Sequence, residues 1–304
     1  MSDFTFIVNP TAGKGAGRKL VGMLEQSLRQ RAVPYEMVLT SGPKHATELA
    51  RSAPGPVVVA VGGDGTINEV ANGLIGSGKR LGIIPTGSGN DFIKSVRIPS
   101  APSLALDLLV SGKRVEVDVG IVECHENHPL VEGEAFSSQR YFINGVGVGF
   151  DAAVAAKTGE ISFLTGVPLY LLAVLKTLGP YRSPNFDITI DDFRQRARKL
   201  LIAVGNGRCA GGGFYLTPDA KVDDGELDVC LVEDISILNI LRVMPRVMRG
   251  NHHNMKHVNF LRGKQIMLSA QERFYVHADG EIVGRNVQYV HIKILKRALT
   301  LVAG

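Results

Sequence analysis

The sequence predicts two domains: an N-terminal α/β layer built on a doubly wound parallel sheet, followed by a mostly antiparallel β-sandwich. Three observations carry this. The chain has 304 residues, about twice an average domain of ~150. Its first hundred residues alternate short apolar runs with segments of helical period, as βαβα units do. Beyond about Lys113 the period changes to two and helical segments become sparse.

Phe4 to Val8 is a short apolar run closed by Asn9-Pro10 and a Gly-rich turn. Leu20, Met23, Leu24 and Leu28 give Ala16 to Arg31 a helical period. Glu36 to Thr40 reads as a strand and His45 to Ser52 as a short helix. Pro56 to Val61 (PVVVAV) is continuously apolar, as a strand covered on both faces must be. A Gly turn, a helix from Ile67 to Ile75 and another apolar run, Leu81 to Ile84, complete the alternation. In the second half, Val115, Val117, Val119 and Ile121 alternate with Glu116, Asp118 and Gly120, which predicts a half-exposed strand. Strand runs recur at 186–190, 199–204, 227–232, 265–268 and 274–278, with helical patterns chiefly at 168–178 and 237–248. The domains are therefore expected at 1–118 and 119–287. The run from Tyr289 to Leu295 can pair with either, and 288–304 is a candidate to complete the first.

Composition narrows the function classes. The chain is 45% hydrophobic and 21% charged, an ordinary globular balance. Its 35 glycines and 14 prolines are scattered, which excludes collagen and low complexity. The longest apolar stretch, Phe163 to Leu178, is broken by Gly166, Pro168 and Lys176, and no segment offers about 18 clean residues for a span. The start lacks the pattern of a secretory signal. Cys124, Cys209 and Cys230 are odd in number and lack CxxC spacing, against a disulfide framework or zinc cage. A cytoplasmic protein is expected. The net charge of +5 suits nucleic acid, anionic lipid or phosphorylated substrates alike. Aromatic residues at 6%, with no helix-turn-helix or RNP-like run, weigh against nucleic acid.

Chemistry concentrates in turns. Gly62-Gly63-Asp64-Gly65-Thr66 follows a buried strand and opens a helix, at the sheet edge where α/β proteins bind ligands. Glycines let a phosphate approach the backbone, and the helix N-terminus offers it N–H groups. A carboxylate there repels phosphate unless a cation stands between, so Asp64 suggests a magnesium nucleotide; a tight turn with Asp64 as a helix cap reads equally from these residues. Pro85-Thr86-Gly87-Ser88-Gly89-Asn90-Asp91 and Asn9-Pro10-Thr11-Ala12-Gly13-Lys14-Gly15 follow two more apolar strands. Three such turns converging on one edge outweigh any one of them. None satisfies GxxxxGK[ST] or GxGxxG, so a P-loop and a Rossmann fingerprint are both rejected. Asp219, Asp223, Asp224, Glu226 and Asp228 cluster around Gly225, either an oxygen site for magnesium or a solvated hairpin turn. Asp279-Gly280-Glu281 leaves the same choice open.

Taken together, GGDGT at 62–66, PTGSGNDF at 85–92, the segment Gly211 to Val229 and HADGE at 277–281 resemble the diacylglycerol kinase catalytic-domain family of lipid kinases. Sphingosine and ceramide kinases are relatives. The resemblance covers essentially the whole chain, VNPTAGKG at 8–15 fitting the opening strand and turn. GGDGT alone is shared with NAD kinases, whereas the four motifs in this order are far more specific.

The resemblance implies a two-domain lipid kinase/NAD kinase-like architecture, with ATP on the first domain, the lipid and catalytic base on the second, and the active site in the cleft between. It implies ATP held by Asn9, Pro10, Thr11, Ala12, Gly13, Thr40, Gly62, Gly63, Asp64, Gly65, Thr66, Ile67, Asn68 and Ser88. Asp279 would be the general base toward a lipid hydroxyl. A structural Mg²⁺ would sit on the Asp224 side chain and the carbonyls of Lys221 and Glu226. Asp64 and Asp91 become candidates to organise water around a nucleotide-bound metal. Ser88 stands where the family more often has Thr, and Ile93-Lys94 where it has Ala-Arg. Serine keeps the hydroxyl; the second change alters the loop's surroundings. Diacylglycerol is the first acceptor implied, with a sphingoid base, ceramide or another lipid alcohol next. NAD and a catalytically silent lipid-binding role rank lower. The implied partners are ATP, a membrane lipid and the membrane surface met peripherally, with a homodimer among the assemblies.

Three further features are read from the residues. Pro168 to Leu175 is apolar nearly all round, a core helix or a lipid wall. Ile237, Leu241, Met244 and Met248 share a face opposite Arg242, Arg246 and Arg249, a pattern that suits an anionic bilayer or a core-packed helix with a basic outer face. His252, His253 and His257 are expected to be loop histidines rather than metal ligands.

Overall fold

The computed structural model describes residues 3–127, 136–158, 167–179 and 181–304. The chain divides into two compact units, Met1–Asp118 with Lys296–Gly304, and Val119–Leu295.

In the first unit, strands β1 (Phe4–Val8), β2 (Tyr35–Leu39), β3 (Val57–Gly62) and β4 (Arg80–Pro85) alternate with helices α1 (Ala12–Gln30), α2 (His45–Ser52) and α3 (Asp64–Leu74). Helices α4 (Asp91–Val96) and α5 (Pro102–Ser111) follow. The sheet runs β2-β1-β3-β4 and every pair is parallel. Every residue of β3 is buried, as its unbroken apolar run requires. One face packs Phe6, Val8, Val59 and Val61 against Leu24 and Leu28 of α1 and Leu106 and Leu109 of α5. Ile7, Val58 and Ala60 alternate to the other face and are fully buried too, so both faces are covered. α1 begins with three left-handed residues, Gly13, Lys14 and Gly15, so its regular turns start near Ala16.

The second unit holds β5 (Lys113–His125, from Val119 on), β6 (Ser138–Phe142), β7 (Gly145–Gly149), α6 (Phe150–Thr158), α7 (Val167–Leu178), β8 (Asn185–Ile190), β9 (Phe193–Gly205), β10 (Leu227–Glu233), α8 (Ile237–Val247), β11 (Val258–Gly263), β12 (Gln265–Ala278) and the first part of β13 (Glu281–Ala303). The pairs β5–β6, β7–β9, β7–β12, β8–β9, β8–β12, β9–β10, β10–β11 and β12–β13 are antiparallel. β9 pairs with β8 over its first half and β7 over its second; β12 does the same in its own halves. Two long strands thus pass from one layer to the other, and the core between includes Phe186, Ile188, Ile202, Leu268, Phe274 and Val290.

Two expectations change. β5 is not half-exposed: Val117 to His125 are all buried. Two of its polar side chains are tolerated because they are paired, Asp118 accepting the Arg297 N–H at 2.7 Å and Glu123 accepting from Gln139 at 3.0 Å. The runs at 265–268 and 274–278 are one strand, interrupted by register shifts between Ser269 and His277. β13 continues for 23 residues, pairing with β12 up to Lys293 and, in the first unit, parallel to β4 at Thr300 and Leu301.

Candidate active site

In the first unit, β1, β3 and β4 are parallel neighbours, so the turns after them fall on one sheet edge. The Asn9 N–H donates to the Val61 carbonyl at 2.9 Å and the Thr86 N–H to the Gly62 carbonyl at 2.8 Å, which ties the three turns together. Thr40 joins the same edge, its N–H on the Val8 carbonyl at 2.9 Å. Asn9 donates to Thr66 Oγ1 at 3.0 Å and accepts from the Thr11 N–H and hydroxyl.

Bare backbone makes this edge. A Cβ on Gly13, where φ is +58°, would lie 2.0 Å from the Thr86 carbonyl oxygen; one on Gly87 would lie 2.6 Å from Gly63 Cα. Gly62 packs under Thr66, whose side chain a Cβ would meet at 2.4 Å. Such a cradle, with the first turn of α3 opening into it, fits the phosphates of a nucleotide. Thr11 and Ser88 are exposed, while Pro10, Ala12 and Gly65 are half-buried. Ile67 and Asn68 are wholly buried, so they support the edge through α3 rather than by surface contact. Thr86 carries a buried hydroxyl without a hydrogen-bond partner among the described residues.

Asp64 is placed differently from its reading as a cap of the helix that it opens. Its Oδ1 accepts the N–H groups of Asp91 at 2.8 Å and Phe92 at 3.3 Å, so it caps α4 rather than its own helix. Asp91 Oδ1 is met by Lys94 Nζ at 2.7 Å. Both carboxylates that were candidates to organise metal-bound water therefore hold protein partners. Lys94, one of the departures from the family pattern, supplies one of them.

In the second unit, Asp279 and Gly280 form the turn between β12 and β13, with φ of +49° and +83°. Two left-handed residues in a two-residue hairpin explain Asp-Gly here. The Asp279 carboxylate accepts three backbone N–H groups, from Ile143 at 2.9 Å, Asn144 at 3.0 Å and Gly145 at 2.8 Å. It is an oriented carboxylate, half-buried at the head of β7.

Beneath it lies a pair that the sequence reading missed. His277 Nδ1 accepts the Gly280 N–H at 3.3 Å, which puts the ring proton on Nε2, 2.8 Å from Asp151 Oδ2. Both residues are buried. A Cβ on Gly147 would fall 2.2 Å from His277 Nε2, so that position must be glycine. Asn144 and Asn206 lock the 143–145 segment from the other side: Asn144 Nδ2 donates to the Cys209 carbonyl at 2.6 Å, Asn206 Nδ2 to that of Ile143 at 2.7 Å. A small cavity touches Asn144, Asp151, His277 and Leu216. The signals were present as FINGVGVGFD and AVGNG, but nothing local gives them a task.

The acidic turn has its own cation. Arg262 on β11 pairs with Asp224, with Glu226 at 3.1 Å and with Asp228 at 3.5 Å. Asp224 Oδ1 also accepts the Glu226 N–H at 3.2 Å. Burial pushes the Asp228 carboxyl up to about 6, opposed by Arg262. The expected magnesium on Asp224 and the carbonyls of Lys221 and Glu226 thus meets a competing guanidinium. One guanidinium against three carboxylates leaves the turn net negative, and no step is assigned to a metal there.

A second cavity, of about 390 Å³, is apolar. Leu201 and Val232 of β9 and β10, Ile240 and Met244 of α8, and Met255 and Val258 line it. Leu216 belongs to both cavities. Arg242, Arg246 and Lys256 also line it, and Arg249 is exposed one turn beyond; these four make no ion pair among the described residues. On α8, the side chains of Ile237 and Leu241 lie outside the described residues, as do those of Pro168, Tyr170 and Leu171 on α7. His253 pairs with Asp219 at 2.6 Å and His257 with Glu233 at 2.9 Å, and no group of three metal-ligating side chains occurs among the described residues. No helix among them is long and apolar enough to cross a membrane.

Comparison with known proteins accords with this architecture. Residues 3–122 match the family profile "Diacylglycerol kinase catalytic domain", and residues 144–303 match "YegS C-terminal NAD kinase beta sandwich-like domain". The diacylglycerol kinase of Bacillus subtilis (strain 168) is 28% identical over 290 residues, covering 91% of this chain and 89% of that one. A Serratia proteamaculans (strain 568) protein named "Probable lipid kinase YegS-like" is 33% identical over 238 residues, 75% of this chain and 73% of its own. The crystal structure of a diacylglycerol kinase from Bacillus anthracis str. Sterne superposes with a TM-score of 0.76 at 26% identity, covering 100% of this chain and 97% of that one. The chain belongs to the diacylglycerol kinase catalytic-domain family of lipid kinases.

Proposed function

We propose that this lipid kinase moves the γ-phosphate of ATP to the hydroxyl of a membrane-derived lipid alcohol, with diacylglycerol the first acceptor to try and Asp279 as the base. The observation that carries the reading is within the second unit. An oriented carboxylate is held by the N–H groups of Asn144 and Gly145, which line a small cavity together with Asp151 and His277, and that cavity shares Leu216 with a larger apolar one. A hydrocarbon chain in the apolar cavity would bring its hydroxyl end toward the smaller one, where Asp151 and His277 lie.

In the first unit, Asn9 to Gly13, Thr40, Gly62 to Thr66 and Ser88 would surround the nucleotide, with Ile67 and Asn68 behind them. Their contribution is positioning, which is most of what phosphoryl transfer asks of a protein. Magnesium carried by ATP would neutralise charge building on the phosphoryl oxygens. The lipid hydroxyl oxygen forms the new bond to the γ-phosphorus as the bond to ADP breaks, and its proton passes to the Asp279 carboxylate and then to water. The three N–H groups on that carboxylate keep it aimed while the proton moves. Arg242 and Arg246 of α8, with Arg249 just beyond its end, would face the anionic surface from which the lipid comes.

The test is transfer of label from radioactive ATP to lipid alcohols in mixed micelles: diacylglycerol, monoacylglycerol, a sphingoid base and ceramide, with NAD alongside. Label is expected in a lipid, reduced at least about 100-fold by Asp279→Asn with ATP binding retained. Unchanged turnover in that variant removes Asp279 from the chemistry. Label in NAD alone would replace the lipid by a dinucleotide.

A further inference from the structure

We infer that His277, set by Asp151, is a positioning residue for the base: by holding the Asp279–Gly280 turn it fixes where the Asp279 carboxylate points. The inference deepens the reading of Asp279 above and rests on it for the chemistry.

Asp279 carries its carboxylate on an unfavourable backbone. Its φ of +49° is left-handed, a region that residues with a Cβ visit rarely, and Gly280 follows at +83°. Such a conformation persists only where its surroundings hold it from several sides. Two holds come from the 143–145 segment. The carboxylate takes the three N–H groups there, and the Asp279 N–H donates to the Gly145 carbonyl at 2.8 Å. A third acts on the far side, on the peptide joining Asp279 to Gly280, whose N–H donates to His277 Nδ1 at 3.3 Å. Were that peptide free to rotate, the Asp279 Cα and its carboxylate would move with it.

The ring has a set orientation and a set tautomer. A backbone N–H can only donate, so Nδ1 is the acceptor and the ring proton sits on Nε2. That proton is directed at Asp151 Oδ2, 2.8 Å away. In the opposite tautomer an Nδ1–H would face the Gly280 N–H, donor against donor. Asp151 on α6 therefore selects the tautomer that the turn needs. His277 lies across from Gly147 of β7, where the missing Cβ leaves room for both groups. His277 is 6% exposed and Asp151 4%. A buried charged or polar pair adds little stability over an apolar pair of similar volume, because both groups lose water. What this pair adds is direction, delivered one peptide away from the base.

The experiment removes the ring's two bonds one at a time. His277→Asn keeps an acceptor at the δ position for the Gly280 N–H and loses Asp151. His277→Gln reaches Asp151 as a donor and leaves no acceptor at the δ position. The first readout is amide exchange at Gly280 in the full-length protein, by NMR and without substrate. Protection should persist in the Asn variant and fall at least about tenfold in the Gln variant. The second is turnover on the lipid that takes label from ATP. There kcat should fall at least about tenfold in His277→Gln and stay within about threefold in His277→Asn, with KM for ATP unmoved. In an Asp279→Asn background no base remains to be aimed, so His277→Gln should cost less than about twofold more. A merely structural pair would lose kcat equally in both variants, and again in that background. Either result overturns the inference, as does exchange at Gly280 that is indifferent to the variant. Thermal unfolding reports whether each variant is folded. If His277→Gln is not, an unprotected Gly280 in the wild type, or protection lost in His277→Asn, overturns the inference. Protection that follows the δ acceptor, in a protein that phosphorylates no lipid, would sink the kinase reading and the role of the pair with it. Label in a lipid with equal kcat in the two variants would sink the inference alone.

Discussion

The glycine edge of the first unit and the Asp279 region of the second are built by opposite means. The first is main chain brought close to main chain, with Gly13 against Thr86 and Gly63 against Gly87, and with side chains left small. The second is side chain reaching distant main chain. Asp279 gathers the N–H groups of residues 143–145, and His277 finds Asp151 across 126 positions of sequence. A backbone-built site tolerates the loss of side chains and fails when one is added. A site built from side chains fails when one polar group is removed or pushed.

The sharpest way to break that contrast is to add a methyl where the second unit also depends on glycine. Gly147→Ala would place a Cβ 2.2 Å from His277 Nε2 and 2.3 Å from Asp151 Oδ2. Overpacking together with a broken buried hydrogen bond should cost about 3 kcal/mol in urea unfolding. A loss under ~1 kcal/mol would mean that the pair is looser than its geometry. In the first unit, Gly87→Ala meets backbone at 2.6 Å, which cannot turn aside. ATP affinity is expected to fall at least about tenfold, while Ser88→Ala, which deletes only an exposed hydroxyl, should cost about threefold or less. The reverse order would show side chains doing the binding.

Legibility followed the same division. The three turns could be read because glycine, a preceding apolar strand and a following helix are local signals. Asp279 was legible as half of a two-residue turn, with its role supplied by resemblance. What the sequence hid were partners chosen by the fold. Asp64 was read with its own helix and caps α4 instead, because the β3 and β4 turns lie side by side. Alternation along β5 could not reveal that Asp118 and Glu123 would be buried against partners from β13 and β6. Arg262 lies 38 positions beyond Asp224, inside a strand pattern that names no partner.

Arg262 supplies a smaller test of how charge is balanced outside the glycine edge. With the guanidinium in place, chelator should leave the melting midpoint of the wild type unmoved. Arg262→Met leaves three carboxylates crowded, and because the pair is partly exposed the loss should be about 1 kcal/mol, recovered in part by magnesium. A wild type that loses stability in chelator would return the ion to the 221–226 turn.

The smallest effect separates buried histidines from those on the surface. Burial lowers the pKa of His252 and of His291, the latter aided by Lys293. The folded protein therefore holds both rings neutral at a pH where the unfolded chain, with histidines near 6.5, takes up protons. Their contribution to stability is complete above about pH 6.5 and is lost as the pH falls toward the lowered folded values. The melting midpoint should drop between about pH 7.5 and 5.5, and the drop should shrink when His252 and His291 are both replaced by Phe. His253 and His257 lie on the surface beside carboxylates, so replacing them instead should leave the drop in place. An equal drop in both double variants would assign the acid sensitivity to other groups, and the two buried rings would then be packing elements alone.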